Sequence, residues 1–173
     1  TMHEAVQRES KAARNSAGIL DASTLGKIDI QGTDASEFLN RVYTNAWSKL
    51  AIGKCRYGLM LNEDGMVYDD GVTTRLDENH YIMTTTTGGA ASVLGKLEDY
   101  LQTEWPELDV YLSSVTDHYA TASICGPNSK KILNKIIPDL DLSDENFPHM
   151  SFKNANIGNV KCRVMRISFT GEH

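Results

Sequence analysis

The sequence predicts an α+β protein in which antiparallel strands pack against helices that cross over them. Short runs of alternating apolar and polar residues, bounded by turn residues, recur along the chain, and amphipathic helical stretches separate some of them. A strand–glycine–helix pattern also occurs twice, in residues 30–42 and again in residues 124–136. Duplication of a ferredoxin-like unit would explain this echo, and so would convergence on a favourable strand-to-helix junction.

Four stretches have helical periodicity or residues that start helices. Residues 4–16 form a polar amphipathic pattern that Gly18 ends. Asp34 and Glu37 have the spacing of a capping box at the start of the second helix. The other two helices begin at glycines and end before prolines, and they span about residues 88–102 and 126–138.

Strands are predicted where β-branched and aromatic residues alternate with polar ones. The predicted strands span residues 25–31, 57–61, 66–75, 80–84, 109–115, 119–125 and 160–169. The segment 139–159 is predicted to be mainly loop.

Length and composition are those of a globular protein. The chain has 173 residues, of which 40% are hydrophobic and 23% charged, and this length fits one domain or two small lobes of about residues 1–75 and 76–173. The formal net charge of −6 disfavours a nucleic acid or a membrane surface as partner. No apolar run approaches the roughly 20 residues that span a bilayer.

The cysteines and histidines indicate neither a disulfide framework nor a metal site. The three cysteines are scattered, which is typical of reduced thiols in a cytoplasmic protein. The five histidines lack the spacing of metal ligands. We therefore predict no metal site.

The hairpin that begins at Tyr57 contains the most informative pair of side chains. If its loop is 62–65, Tyr57 lies opposite Asp70. If Asp64-Gly65 is instead a two-residue turn, the pairing shifts by two residues. In both cases Tyr57 and Asp70 share one face, and Asp69 must point to the other because strand side chains alternate. A ring beside a carboxylate suits a flat, nitrogen-rich ligand, and it also suits an ordinary sheet with an acid near a turn.

A series of short blocks, in this order and spacing, resembles the folate-binding aminomethyltransferase family, whose founding member is the T-protein of glycine cleavage. Any one block is weak, but together they extend over nearly the whole chain. The blocks are residues 18–23, 31–32, 57–70, 125–128 and 166–172. The resemblance is greatest to the branch of the family that forms the α subunits of heterotetrameric sarcosine oxidases, through residues 20–32, 38–45, 53–60, 69–72 and 84–87.

The resemblance implies a pterin site and assigns residues to it. The family's essential aspartate matches Asp70, and an aromatic or apolar contact thirteen residues earlier matches Tyr57. A carboxylate beside N10 of a folate would orient that nitrogen, accept its proton and stabilise cationic character during transfer of a one-carbon unit. The remaining implied contacts are Leu25, Tyr81, Met83 and, in a Thr-Gly-Glu motif, Glu172.

The implied activity is capture, as 5,10-methylenetetrahydrofolate, of the one-carbon unit that oxidative N-demethylation of sarcosine releases. The implied cofactors are tetrahydrofolate in this chain, with flavin (FAD or FMN) and NAD on parts of the enzyme outside it. The implied partners are a flavin-bearing β subunit and the other subunits of a hetero-oligomer. Three alternatives stay open: an aminomethyltransferase fed by a lipoyl carrier, a non-catalytic folate-binding protein, and a scaffold for the flavin subunit.

The resemblance also implies that this chain is a fragment. Family members continue past the position of His173, so the expected fold is a pair of ferredoxin-like units of the aminomethyltransferase type, truncated before a C-terminal β-barrel. The rest of the pterin pocket would lie in the missing part. We therefore expect the fragment to be inactive alone.

Overall fold

The computed structural model describes residues 1–168, and within them it contains four α-helices and nine β-strands. The helices are α1 (Met2–Asn15), α2 (Ala35–Val42), α3 (Ala90–Asp99) and α4 (Ser129–Ile136). The strands are β1 (Gly18–Asp21), β2 (Gly26–Gln31), β3 (Cys55–Leu61), β4 (Val67–Asp77), β5 (His80–Thr85), β6 (Tyr111–Ser114), β7 (Ala122–Cys125), β8 (Ser151–Ile157) and β9 (Val160–Arg166). None of these helices is long and apolar enough to cross a membrane.

The chain folds as two compact units. One is formed by residues 23–120, and the other combines residues 1–22 with the chain from residue 121 onward. The boundary differs from the one near residue 75 that the sequence suggested. Residue 75 lies inside β4, which pairs with β3 on one side and with β5 on the other, so no boundary can form there.

The unit of residues 23–120 is built on a five-stranded sheet in the order β3-β4-β5-β2-β6, whose neighbouring strands are all antiparallel. Helices α2 and α3 bury their apolar stripes against one face of this sheet. The resulting core includes Ile28, Ile30, Phe38, Leu39, Trp47, Met60, Tyr81, Met83, Val93 and Leu97.

The other unit contains two separate two-stranded sheets. Strands β1 and β7 pair antiparallel, and β8 and β9 form a hairpin whose turn includes Gly158. A small cluster of Ile137, Leu142 and Phe147 packs here with Leu133 of α4 and with Ala155 and Val164 of the hairpin. The class of the protein is therefore α+β, as the sequence predicted.

One sequence prediction about these elements was wrong, and another missed a strand. Asp34 makes no capping bond to α2, because its carboxylate accepts instead from the backbone N–H of Asp109 (2.9 Å), while Glu37 pairs with Arg41 (2.9 Å). The segment expected to be loop contains β8, which pairs with β9 over seven residues. Its sequence, Ser-Phe-Lys-Asn-Ala-Asn-Ile, lacks the regular apolar alternation that identifies a half-buried strand.

The strand–glycine–helix echo has the same geometry in both places. Gly32 after β2 and Gly126 after β7 have positive φ values of 136° and 101°. Each glycine's carbonyl accepts from the N–H three residues later, at the start of an eight-residue helix. A positive φ favours glycine over residues that carry a Cβ, so both junctions need it.

Candidate functional site

The hairpin adopts the second of the two registers that the sequence allowed. Tyr57 pairs with Val72 and Leu59 pairs with Asp70, so Asp70 is diagonal to Tyr57 and not directly opposite it. The turn is closed by the Asn62 N–H, which donates to the Met66 carbonyl (2.8 Å), and the register shifts at a bulge between Met60 and Leu61, just before this turn. Diagonal neighbours on one face remain within reach of a long side chain.

Tyr57 and Asp70 share one face of the sheet and touch. The Tyr57 hydroxyl donates to Oδ2 of Asp70 at 2.7 Å. The tyrosine is 49% exposed, which leaves much of its ring accessible. Within residues 1–168, Tyr57 is the hydrogen-bond partner of this carboxylate, so Oδ1 of Asp70 remains available to a ligand. The predicted face-sharing of the two residues is confirmed.

Asp69 points to the opposite face, as strand alternation requires. It is only 4% exposed and accepts from the hydroxyl of Thr86 (2.7 Å) and from its backbone N–H (3.3 Å). The same threonine hydroxyl accepts from the N–H of Gly89, just before α3. Asp69 therefore secures the connection between β5 and α3, which is a structural role. The two adjacent acids therefore lie in different environments, one buried and one on the candidate face.

The sequence analysis missed the residues that complete the Asp70 face. Leu59 and Val72 lie two residues from Tyr57 and Asp70 along their own strands, so alternation alone places them there. Ile82 lies on the same side of the sheet because it pairs with Thr74 of β4, but both side chains are buried, so that part of the face is covered. Ile82 could be found only from the register between β4 and β5, which the sequence does not reveal.

Tyr81 and Met83 do not lie on this face, which corrects their assignment as ligand contacts beside Asp70. Both are 0% exposed and belong to the core under the helices. They pair with Ile30 and Ile28 of β2, which are buried in the same core. Strand alternation therefore turns both side chains away from Asp70.

Leu25 and Glu172 are the remaining predicted contacts. Leu25 lies in the turn before β2, is 37% exposed, and its carbonyl accepts from the Lys27 ammonium (3.0 Å). Gly26, which follows it, pairs with Thr85 at the end of β5, so Leu25 lies at that end of the sheet. Glu172 lies outside the described residues.

The carboxylates of Asp69 and Asp70 contribute to raised pKa values of two tyrosines, Tyr43 and Tyr57. The hydrogen bond to Asp70 raises the pKa of Tyr57, with the negative charges of both acids as smaller causes. Burial is the main cause that raises the pKa of Tyr43, which is 4% exposed, and the same two charges add to it. Both tyrosines are therefore neutral at physiological pH. Tyr57 acts as a proton donor to Asp70.

The raised pKa of Tyr57 predicts a pH dependence. The folded protein holds this proton more tightly than the unfolded chain, so the stabilisation is present below the ordinary tyrosine pKa of 10.0 and is lost as pH rises through the higher folded-state value. We expect the difference in tyrosinate absorbance at 295 nm between wild type and Tyr57→Phe to titrate above pH 10. Asp70→Asn should lower that midpoint. Titration of Tyr57 at or below pH 10 in the wild type would contradict the hydrogen bond.

Two clefts in the same unit lie away from this face. The larger cleft, of about 390 Å³, is lined by Arg41, Tyr100 and Trp105 among others. The smaller one, of about 300 Å³, lies between the C-terminal end of α3 and strand β6. Arg41 already pairs with Glu37 and Glu107 and lies over the Trp105 ring, 5.3 Å from its centroid. Neither cleft is lined by Tyr57 or Asp70. We therefore take the open Tyr57–Asp70 face as the candidate site.

Comparison with curated proteins finds relatives of two kinds. The chain is 54% identical over 173 residues to sarcosine oxidase subunit alpha of Corynebacterium sp. strain U-96, covering 99% of this chain and 18% of that protein. The subunit of the same name from Rhizobium meliloti is 52% identical, and the match covers 99% of this chain and 18% of that protein. An aminomethyltransferase of Listeria monocytogenes is 32% identical over 96% of this chain and 44% of that protein. The chain thus spans less than a fifth of the first two relatives.

Solved structures share the fold. Aminomethyltransferase T of the Bartonella henselae glycine cleavage system superposes with a TM-score of 0.81 at 24% identity, over 96% of this chain and 43% of that one. A chain of the heterotetrameric sarcosine oxidase from Corynebacterium sp. U-96 superposes with a TM-score of 0.62 at 14% identity, over 95% of this chain and 78% of that one. The family model of the GCVT N-terminal domain matches residues 1–173, and the chain therefore belongs to that family.

Proposed function

We propose that the Tyr57–Asp70 face is part of a tetrahydrofolate site, and that the chain is the first part of the folate-binding module of a sarcosine oxidase α subunit. The observation that carries the proposal is the 2.7 Å hydrogen bond from an accessible tyrosine to a carboxylate with one free oxygen. The identity of 54% to an α subunit supports the oxidase branch over the aminomethyltransferase branch, where identity is 32%.

Asp70 would act as the base and electrostatic partner of the reaction. The carbon to be captured arrives as formaldehyde or an iminium and is already electrophilic, so no protein nucleophile is needed. When bound, tetrahydrofolate would supply the nitrogens that take up this carbon, and the oxygen of formaldehyde would leave as water or the nitrogen of the iminium as the free amine. Oδ1 of Asp70 can accept the proton that the attacking nitrogen gives up, and its charge favours the cationic character that develops there.

Tyr57 would have two roles in the same site. Its hydroxyl holds Oδ2 of Asp70, which leaves Oδ1 directed at the ligand. Its exposed ring offers stacking area to a flat ligand ring. Leu59 and Val72, which are half-buried on the same face, supply apolar surface beside the polar pair.

The rest of the proposed site and enzyme lies outside the described residues. Glu172 is proposed to accept from the N–H groups of the pteridine, as a carboxylate can do with both oxygens. Flavin, NAD and the partner subunits are proposed to lie on parts of a hetero-oligomer other than this chain. The fold shared with a chain of a heterotetrameric sarcosine oxidase supports such an assembly.

Folate binding by the longer polypeptide tests this proposal. We expect Tyr57→Ala to raise the Kd for tetrahydrofolate about tenfold, because it removes a stacking ring worth roughly 0.5–1.5 kcal/mol and releases Asp70. Isothermal titration calorimetry measures the effect. Tyr111→Ala is the matched control, since that tyrosine is 69% exposed on the edge strand β6. Equal affinity of the two variants would refute the site.

A further inference from the structure

Lys27 is buried by the fold, although the proposed chemistry makes no use of its charge. The residue is only 4% exposed, whereas lysines lie mostly at protein surfaces. Strand β2 directs its neighbour Ile28 into the core under the helices. Alternation therefore turns Lys27 to the opposite side of the sheet, which is the side that carries Asp70. The buried lysine and the candidate site thus share one side of the sheet.

The Lys27 ammonium holds the turn that precedes its own strand. It donates to the Ser23 carbonyl at 2.9 Å and to the Leu25 carbonyl at 3.0 Å. Burial of a charge is costly unless its hydrogen bonds are satisfied, and these two bonds offset part of that cost. Because both carbonyls face the same ammonium, the backbone of residues 23–25 is fixed around it.

The same turn is also attached to the end of β5 and the start of α3. The Thr24 and Thr87 hydroxyls are 3.2 Å apart and share a hydrogen bond. Gly26 pairs with Thr85, and a Cβ on this glycine would lie 2.0 Å from the threonine hydroxyl and 2.6 Å from the Cβ of Ala90. The turn therefore has little room to move toward β5 or α3. These contacts add to the two bonds from the ammonium.

Leu25 and Asp70 lie at the same end of the sheet. Asp69, which precedes Asp70, bonds Thr86 just beyond the end of β5. Leu25 precedes the residue that pairs with Thr85, the last residue of β5. Strand β5 lies between β4, which carries Asp70, and β2, which follows Leu25. The turn with Leu25, which is 37% exposed, therefore borders the end of the sheet at which Asp70 lies.

We propose that Lys27 is a positioning residue of the folate site, and that it holds the turn so that Leu25 contacts the ligand. The inference rests on the proposed function, in which Leu25 is one of the ligand contacts. Lys27 acts through two backbone carbonyls and does not touch folate. An apolar side chain of similar length would fill this buried space with less desolvation, so the turn that the ammonium holds accounts for a lysine here.

Folate binding and capture kinetics of the full-length subunit test this role. We expect Lys27→Met to raise both the Kd for tetrahydrofolate and the KM for it in one-carbon capture about tenfold, within the range of coupling between residues in contact. The kcat at saturating tetrahydrofolate should be unchanged, because Asp70 keeps its place. A lower kcat with an unchanged KM would show a general loss of folded enzyme and would contradict the role. Lys49→Met, at an exposed lysine of the same unit, is the matched control and should behave as wild type.

A double-mutant cycle shows whether Lys27 acts through Leu25. Leu25→Ala should itself weaken binding, and adding Lys27→Met to it should raise the Kd further by about twofold or less, because the contact that the lysine positions is already lost. Should Lys27→Met fail to fold, Lys27→Gln, which keeps an uncharged amide donor, carries the same cycle.

The outcomes separate the role of Lys27 from the folate site itself. Wild-type affinity in Lys27→Met, or a full additive effect of that change in the Leu25→Ala background, would overturn the role. If Tyr57→Ala weakens folate binding and Lys27→Met does not, the site stands and only the role of Lys27 is refuted. If neither variant weakens binding, the proposed folate site is refuted, and this inference with it.

Discussion

Replacing Asp70 by asparagine in the full-length subunit is expected to lower folate-dependent capture of the one-carbon unit by about 10²–10⁴-fold, the usual contribution of a general base. Asparagine keeps the shape and can still accept the bond from Tyr57, but it cannot take up a proton at neutral pH and carries no charge. Oxidation of the amine should be largely unaffected, because the proposal places it at a flavin on another part of the enzyme. Free formaldehyde should therefore accumulate even when tetrahydrofolate is present.

The measurement is formaldehyde release and methylenetetrahydrofolate formation, assayed together with amine consumption. Asp77→Asn is the matched control, since it makes the same change of charge near the end of the same strand, β4, at a position that faces solvent. Its product distribution should equal that of the wild type. Equal formaldehyde release by Asp70→Asn and wild type in the presence of folate would remove the proposed role.

Replacing Gly71 by alanine is expected to destabilise the fold by about 3 kcal/mol and to lower Tm by about 10 °C. A Cβ at this position would lie 1.9 Å from the carbonyl oxygen of Thr84, so β4 and β5 would have to separate. The Thr84 hydroxyl also accepts from the Val72 N–H and donates to its carbonyl, and the separation would break these bonds. Since Gly71 follows Asp70, folate binding should weaken as well.

Gly95→Ala is the control for this prediction. Gly95 lies inside α3, and a Cβ there would meet no atom within 4 Å. Alanine is favoured over glycine in helices by roughly 0.5–1 kcal/mol, so this variant should be slightly more stable than the wild type. Denaturant unfolding followed by circular dichroism measures the stability of both variants. Similar midpoints for Gly71→Ala and Gly95→Ala would show that β4 and β5 are not packed as described.

The sequence was sufficient for the features that depend on local pattern. Alternation alone placed Tyr57 and Asp70 on one face and Asp69 on the other, whichever register the turn selected. The strand–glycine–helix echo was visible because a positive φ is compatible with few residues other than glycine. Each feature is formed by residues that are close together in the chain, so distant contacts are not needed to recognise it.

The sequence could not determine how strands pair across the sheet. The resemblance implied Tyr81 and Met83 as ligand contacts, but the pairing of β5 with β4 and β2 places both in the core and places Ile82 on the side of the sheet that carries Asp70. Strand β8 was missed for a related reason. Its polar residues are held in an extended conformation by seven pairs with β9 and not by an apolar pattern of their own.

By itself, then, the sequence determined the α+β class and the parity of one tyrosine and one carboxylate, because each depends on residues close together in the chain. The tertiary structure alone decided that the Tyr57 hydroxyl bonds Oδ2 of Asp70 and that Tyr81 and Met83 are core residues. The burial of Tyr81 and Met83 depends on the register between β5 and β2, which are distant in sequence. That register is set by the packing of whole faces against helices, which no local pattern encodes.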